Sequence, residues 1–270
     1  MAISHEIPNS FVTAAIEQNF AAFTSAYVRV GHGEVYEESE LTWVVTGSPL
    51  SYFNGVIRTA LTASDPDVSI ENVLAVFKER KQLMSWWIGP SSYPGDMPQR
   101  LEAHGLVFTF QDAGMALELS KLNENIAMPA GLTIERVKDE QTLQTWVRTF
   151  GLGFDVDEPI LADYRALVTG VPRDQHMVGP FYLARLHGEP VATSALCCAV
   201  GVAGVYEVST IPSMRGQGIG AAIAQAPLLD ARNMGYRIAV LQASKLGEPV
   251  YRRLGFSTYC TLDAYCWRPL

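Results

Sequence analysis

Two stretches of this chain repeat one pattern: "LEAHGLVFTF" (101–110) and "YRRLGFSTYC" (251–260). Each reads as a helix stopped by a glycine, Gly105 or Gly255, followed by an apolar entry into a strand. The two glycines are 150 residues apart, and the segments before them run in the same order. In the first half "LTWVVTGSPLSYFNGVI" (41–57) reads as a hairpin, "VSIENVLAVFKERK" (68–81) as a helix and "LMSWWIG" (83–89) as a buried strand. In the second half "FYLARL" (181–186) and "VATSALCCAV" (191–200) form a hairpin around the turn "HGEP". "AGVYEVSTI" (203–211) is a further strand, a helix runs to about Met234 with Gly235 behind it, and "YRIAVLQAS" (236–244) is a buried strand. "EPVYRRLG" (248–255) is a short helix, and "FSTYCTLDAYCW" supplies the last strands. A repeat of this period reads as two copies of one α+β unit, the alternative being two unrelated small α+β units.

A seam lies in "NENIAMPAGLTIERV" (123–137), where polar residues and Pro129–Gly131 break the pattern. It divides the chain into 1–127 and 131–270. Behind it come helices over Asp139–Gly151 and around Glu158–Gly170. The second half owns one feature the first lacks, the loop "IPSMRGQGIGAA" (211–222), which leaves a strand and opens a helix. Glycines at 216, 218 and 220 let the backbone come close to a ligand, and the free N–H groups of a helix start form an anion site. In the first half the corresponding region reads "RTALTASDPDVSIENV".

Two phosphate-bearing ligands suit such a loop. A dinucleotide fits "GQGIGA" formally as G-x-G-x-x-A, but the acid expected at the end of the next strand is missing, and the unit opens with a hairpin. Coenzyme A fits "RGQGIG" as Q/R-x-x-G-x-G/A. Around that loop the chain resembles the GNAT superfamily of acyl-CoA-dependent N-acyltransferases. "VSTIPSMRGQGIG" resembles the family's fourth strand entering its pyrophosphate loop, "ARNMGYRIAVLQAS" its next helix and fifth strand, and "YRRLGF" the helix over the coenzyme arm. These pieces, in order, cover most of 131–262.

The resemblance implies an α+β fold of two tandem GNAT-like domains, each a mixed, mostly antiparallel sheet flanked by helices, the N-terminal copy degenerate. It implies that Val208, Ser209 and Thr210 pair with the pantetheine arm through their backbones. It also implies that the amides of Arg215, Gly216, Gln217, Gly218, Ile219, Gly220 and Ala221 surround the diphosphate, with charge from Arg215. Ser244 falls where many members hold the arm with asparagine, a departure from the pattern. Tyr251 falls where many place a general acid for the leaving thiolate, and Leu101 stands at that position in the first half. The implied reaction is direct acetyl transfer from acetyl-CoA to a primary amine, with no metal. Glu207, beside the arm, is the candidate base, its direction depending on strand register. Pro227 is expected to remove one hydrogen bond from the helix behind the loop and to kink it. Asp155 and Asp157 lie in a loop that often shapes the family's acceptor pocket, and His187 sits in a hairpin turn. A non-catalytic acyl-CoA sensor or scaffold fits the loop equally well; Tyr251 favours the enzyme.

Composition narrows the partners. Hydrophobic residues make up 48% and charged residues 18%, which excludes disorder. The longest near-apolar run, 195–205, is 11 residues, short of the ~20 a membrane span needs. The four cysteines match no metal or disulfide spacing and read as small buried groups in a reducing cytoplasm. The net charge of −8 resides in residues 1–125, with 15 acids against 7 bases, and includes "GEVYEESE" (33–40). No basic patch suggests nucleic acid. A small amine is the expected acceptor, a protein amine is possible through the acidic face, and fused copies favour a monomer.

Overall fold

In the computed structural model, residues 8–31, 33–47, 51–171 and 179–269 are described. The first half contains α1 (Asn9–Val30), β1 (Glu34–Glu37), β2 (Leu41–Val45), β3 (Gly55–Thr59), α2 (Pro66–Glu79), β4 (Met84–Ile88), α3 (Met97–Ala103) and β5 (Val107–Glu118). The second contains β6 (Leu132–Arg136), α4 (Glu140–Phe154), α5 (Glu158–Thr169), β7 (Phe181–Leu186), β8 (Glu189–Ala199) and β9 (Val202–Thr210). It ends with α6 (Ile219–Asn233), β10 (Ile238–Ala243), α7 (Glu248–Leu254) and β11 (Ser257–Trp267).

The repeat is visible in the pairing. Antiparallel strands, three in the first half and four in the second, lead through a helix to a parallel neighbour: β3 meets β4 at Gly55↔Ser85 and Val56↔Trp86, and β9 meets β10 at Ala203↔Ala239 and Gly204↔Val240. A short helix and a left-handed glycine follow, Gly105 with φ 83° and Gly255 with φ 106°. The two sheets are continuous as one of 11 strands, in the order β1-β2-β3-β4-β11-β5-β10-β9-β8-β7-β6. The last strands are exchanged: β5 pairs with β10 of the other half, β11 pairs with β4, and the two pair with each other at the centre. The final stretch "STYCTLDAYCW" is therefore one strand with two register shifts, not several.

Helices cover both faces. α1, α4 and α5 lie on one, over a core that includes Ile16, Phe20, Phe23, Tyr27, Trp87, Trp146 and Phe181. On the other, α6 and α7 cover the second half, and α2 and α3 the first. Helix α1 was not expected, although its buried Val12, Ile16, Phe20, Phe23 and Tyr27 recur at helical steps. It crosses from the first half onto β8, β9 and β10. There Asn19, fully buried, accepts from the Tyr206 hydroxyl at 2.7 Å and donates to the Ala199 carbonyl at 3.1 Å. A buried amide with both ends satisfied fixes the helix on the sheet.

Helix α6 runs unbroken through Pro227. The carbonyl that Pro227 deprives of its helical donor belongs to Ile223, and the Ser194 hydroxyl donates to it at 3.0 Å. The acidic run 33–40 is tied down: Glu34 pairs with Arg80, Glu37 with Arg29 at 2.7 Å, and Glu40 accepts from the amides of Thr62, Ala63 and Ser64 at 2.6–2.9 Å. Among the described residues no helix is long and apolar enough to cross a membrane, and no three His, Cys, Asp or Glu gather as a metal site.

Candidate active site

The site begins with two strands that part. β9 and β10 pair only at their first residues, and no ladder joins them beyond Gly204 and Val240. Val208, Ser209 and Thr210 therefore line a slot on the β10 side, while β8 pairs with β9 on its other edge. The Ser209 hydroxyl is buried against the Thr193 hydroxyl at 2.8 Å, so Ser209 offers the slot its backbone alone.

At the slot's end the chain makes a single 3-10 turn, Pro212–Met214, and enters the glycine loop. Gly216 and Gly218 have φ 77° and 85°, a region in which a side chain costs ~1–2 kcal/mol. From Gly216 through Gln217, Gly218, Ile219 and Gly220 to Ala221, no amide has an acceptor among the described residues; the first helical bond is Ala222 N–H to the Gly218 carbonyl at 3.1 Å. Six consecutive free donors at the positive end of a helix dipole form an anion cradle. The Ile219 side chain is buried beneath it. Arg215 turns away from the cradle: its Nε donates to the Thr210 carbonyl at 3.1 Å and its Nη2 to the Gly153 carbonyl at 2.8 Å. It braces the end of α4 against the end of β9.

A bulge decides where Glu207 points. Thr193 faces Ser209 but Ala195 faces Tyr206, so β9 holds one residue more than β8 here. Glu207 takes up the excess with φ 54°, and the Thr193 hydroxyl donates to its carbonyl at 2.9 Å. Its carboxylate turns to the α1 face. Oε2 accepts from the Tyr27 hydroxyl at 2.8 Å, and Oε1 from the Tyr164 hydroxyl. Burial raises the carboxyl to about 7, against the lowering effect of the two phenols. Tyr27 and Tyr164 themselves lie well above the usual phenol range, through burial and the neighbouring charge, so they stay donors. Neither was a sequence-derived candidate: an unrecognised helix carries Tyr27, and nothing local links Tyr164 to a residue 43 positions away.

Tyr251, on the first turns of α7, is buried at 8% exposure, its ring edge-on to Phe256 at 5.8 Å. Its hydroxyl has no hydrogen-bond partner among the described residues. Burial, with the charge of Asp112, pushes it above the usual phenol range. Ser244 is exposed, and its Oγ and carbonyl accept from the Gly247 amide at 3.2 and 2.9 Å, closing the turn into α7. Asp155 and Asp157 are exposed at the α4–α5 turn, and His187 is exposed with φ 53° in its hairpin; none of them reaches Glu207.

The same place in the first half is closed. Counting from the parallel pairs, Thr59 stands where Glu207 stands, and it accepts from the Trp86 indole N–H at 2.9 Å. Tyr93 pairs with the strand edge beyond, its N–H to the Thr59 carbonyl at 3.2 Å and its carbonyl from the Leu61 N–H at 3.0 Å. The start of α2 is capped by Asp65, which accepts from the amides of Asp67 and Val68 at 2.9 and 3.3 Å.

Residues 178–258 match the family model described as "Acetyltransferase (GNAT) domain". No curated protein sequence matches the chain. Among solved structures, a GCN5-related N-acetyltransferase from Kribbella flavida is similar at 21% identity and TM-score 0.69, over 93% of this chain and 95% of that one. Another, from Sphaerobacter thermophilus, is similar at 15% identity and TM-score 0.62, over 97% and 93%. A tandem GNAT protein from the clavulanic acid biosynthesis pathway shares the fold at 11% identity and TM-score 0.59, over 96% and 95%. Residues 178–258 are thus similar to a GNAT acetyltransferase domain, within a fold that the chain shares along nearly its whole length with GNAT proteins, a tandem one among them.

Proposed function

We propose that the protein is an acyl-CoA-dependent N-acyltransferase that moves acetyl directly from acetyl-CoA to a primary amine. In this reading the coenzyme is bound by the C-terminal unit, residues 131–270, alone. The observation that carries it is the run of free amides, Gly216–Ala221, at the end of the slot between β9 and β10. The run suits a diphosphate and the slot an extended amide-bearing arm, which would pair with Val208–Thr210 as an added strand. Acetyl-CoA supplies a thioester, an acyl carbon activated toward amines.

The chain's own groups do the proton work. An amine reaches the site as an ammonium, and Glu207, near 7, takes its proton at neutral pH. Tyr27 and Tyr164 hold the carboxylate and keep it ionisable in a poorly hydrated site. The freed amine attacks the acyl carbon, the carbon–sulfur bond breaks, Tyr251 passes its proton to the departing sulfur, and the proton shed by the new amide nitrogen restores the phenol. Burial that raises the phenol keeps it protonated at neutral pH, so a proton is held ready until the carbon–sulfur bond breaks. Trp86, Tyr93 and Asp65 fill the corresponding place in the N-terminal unit, which supports a single coenzyme site.

Calorimetric titration with acetyl-CoA tests this reading. One site per chain is expected, weakened more than about tenfold by Arg215→Glu, which breaks the brace and puts a negative charge beside the cradle. Absence of binding overturns it.

A further inference from the structure

Asp112 belongs to the N-terminal half but stands in the C-terminal sheet, because β5 is inserted beside β10. It lies opposite Leu262, one residue past the last β5–β10 pair, Ala113↔Ala243. On the same strand Phe110 packs edge-on against Trp87 at 5.4 Å, and Gly114 lies directly under Ile16 of α1. Strand alternation sets Asp112 on that α1 face between them. Glu207 reaches the same face from β9. The two carboxylates thus flank the C-terminal end of β10, one strand to either side. Two strand spacings of ~4.8 Å make ~10 Å the least separation between them, because β9 and β10 have parted there.

Asp112 has no hydrogen bond or ion pair among the described residues, and burial raises its carboxyl to about 6. Other polar groups nearby are also without partners. The Tyr251 hydroxyl, in a side chain 8% exposed, lies within electrostatic reach of Asp112. The Tyr52 ring lies within reach of both Asp112 and Glu207. Gln242, on β10 between them and opposite Gly114, keeps a buried Oε1 without a donor. Unpaired carboxylate and orphaned polar atoms in one half-buried place are costly unless a ligand meets them.

We propose that Asp112 is the second half of an acceptor subsite that selects a diamine: one amine is placed at Glu207 for acylation and the other, as ammonium, pairs with Asp112. This rests on the acyltransferase reading. It gives the N-terminal unit, which lacks the loop, a part in choosing the substrate through its exchanged strand.

The test is calorimetric titration of the full chain, saturated with coenzyme A, with 1,6-diaminohexane and with hexylamine, which lacks the second charge. The diamine is expected to bind about tenfold tighter, the size of one charge-assisted hydrogen bond. Asp112→Asn should reduce that preference to less than about threefold while hexylamine and acetyl-CoA bind as before. Asp112→Glu, which keeps the charge, should retain a clear preference. Equal binding of the two amines to the unaltered chain, or a preference that survives Asp112→Asn, overturns the proposal. So does its loss in both variants when both still bind acetyl-CoA. Failure of the acyltransferase reading appears elsewhere, as failure of the unaltered chain to bind acetyl-CoA.

Discussion

The two strand–helix crossovers of this molecule have the same topology and opposite chemistry. Where β9 leads into α6, six amides stand without acceptors and the neighbouring strand edge is open. Where β3 leads into α2, the Asp65 carboxylate takes the amides, Tyr93 takes the strand edge, and the Trp86 indole takes Thr59. Donors of the kind left free in one unit are answered in the other by the chain itself. A ligand site in this fold is thus a set of polar groups left unsatisfied, held open by surroundings stable enough to carry the cost. Closing such a site needs no change of fold, only an acid at the helix start and a large side chain on the strand.

This contrast can be challenged in several places. The largest effect is expected from Glu207→Gln, which should lower kcat/KM about 10²–10³-fold while acetyl-CoA affinity holds, as for loss of a general base. In the unaltered protein kcat/KM should rise with pH through a midpoint near 7, because Glu207 must lose its proton to act. The same carboxyl is raised in the fold above its ordinary ~4.3, so its contribution to stability is full below that pH and is lost as pH rises toward 7. Tyr251→Phe should reduce kcat about 10–100-fold, again with binding intact. Unchanged turnover in both variants would remove Glu207 and Tyr251 from the proton transfers; acetyl-CoA binding without turnover in the unaltered chain would mark the slot as a sensor.

Gly218→Ala and Gly105→Ala sharpen the comparison from the backbone side. Both glycines are left-handed, with φ 85° and 83°, and each change should cost ~1–2 kcal/mol in chemical unfolding. Only Gly218→Ala should also weaken acetyl-CoA, by about tenfold, since it shifts the cradle itself. Tyr27→Phe removes one donor from Glu207 and should move the rising limb of the pH profile further up, with a loss of about threefold at pH 7 recovered at higher pH. The smallest effect is expected from Asp65→Ala: about 1 kcal/mol of stability for a lost helix cap, and still no second acetyl-CoA site. A second site in that variant would break the comparison outright.

Much of the C-terminal unit could be read locally. Its strands and helices lie within about three residues of their expected bounds, because turn glycines and apolar periodicity both act over short range. Glu207 was within reach as a candidate, but its direction was not, since a bulge that adds one residue reverses the face and leaves little mark in composition. Helix α1 did carry the signal of an amphipathic helix, and yet its destination across the sheet depends on Asn19 meeting a hairpin some 180 residues away. Asp112 was invisible for a related reason: a strand shows that it will pair but not with which neighbour. The two halves were legible as copies; the exchange that joins them was not.

That exchange also governs how the molecule comes into being. As the chain leaves the ribosome, β4 must wait for β11, a strand of the second unit, before its inner edge is covered. The first unit therefore cannot finish before the second, and folding becomes a single act that follows synthesis of both units. A gene split within the linker would give two fragments, each missing an interior strand that the other carries, so neither could stand as a unit by itself. The pair would be obliged to find each other and interlock.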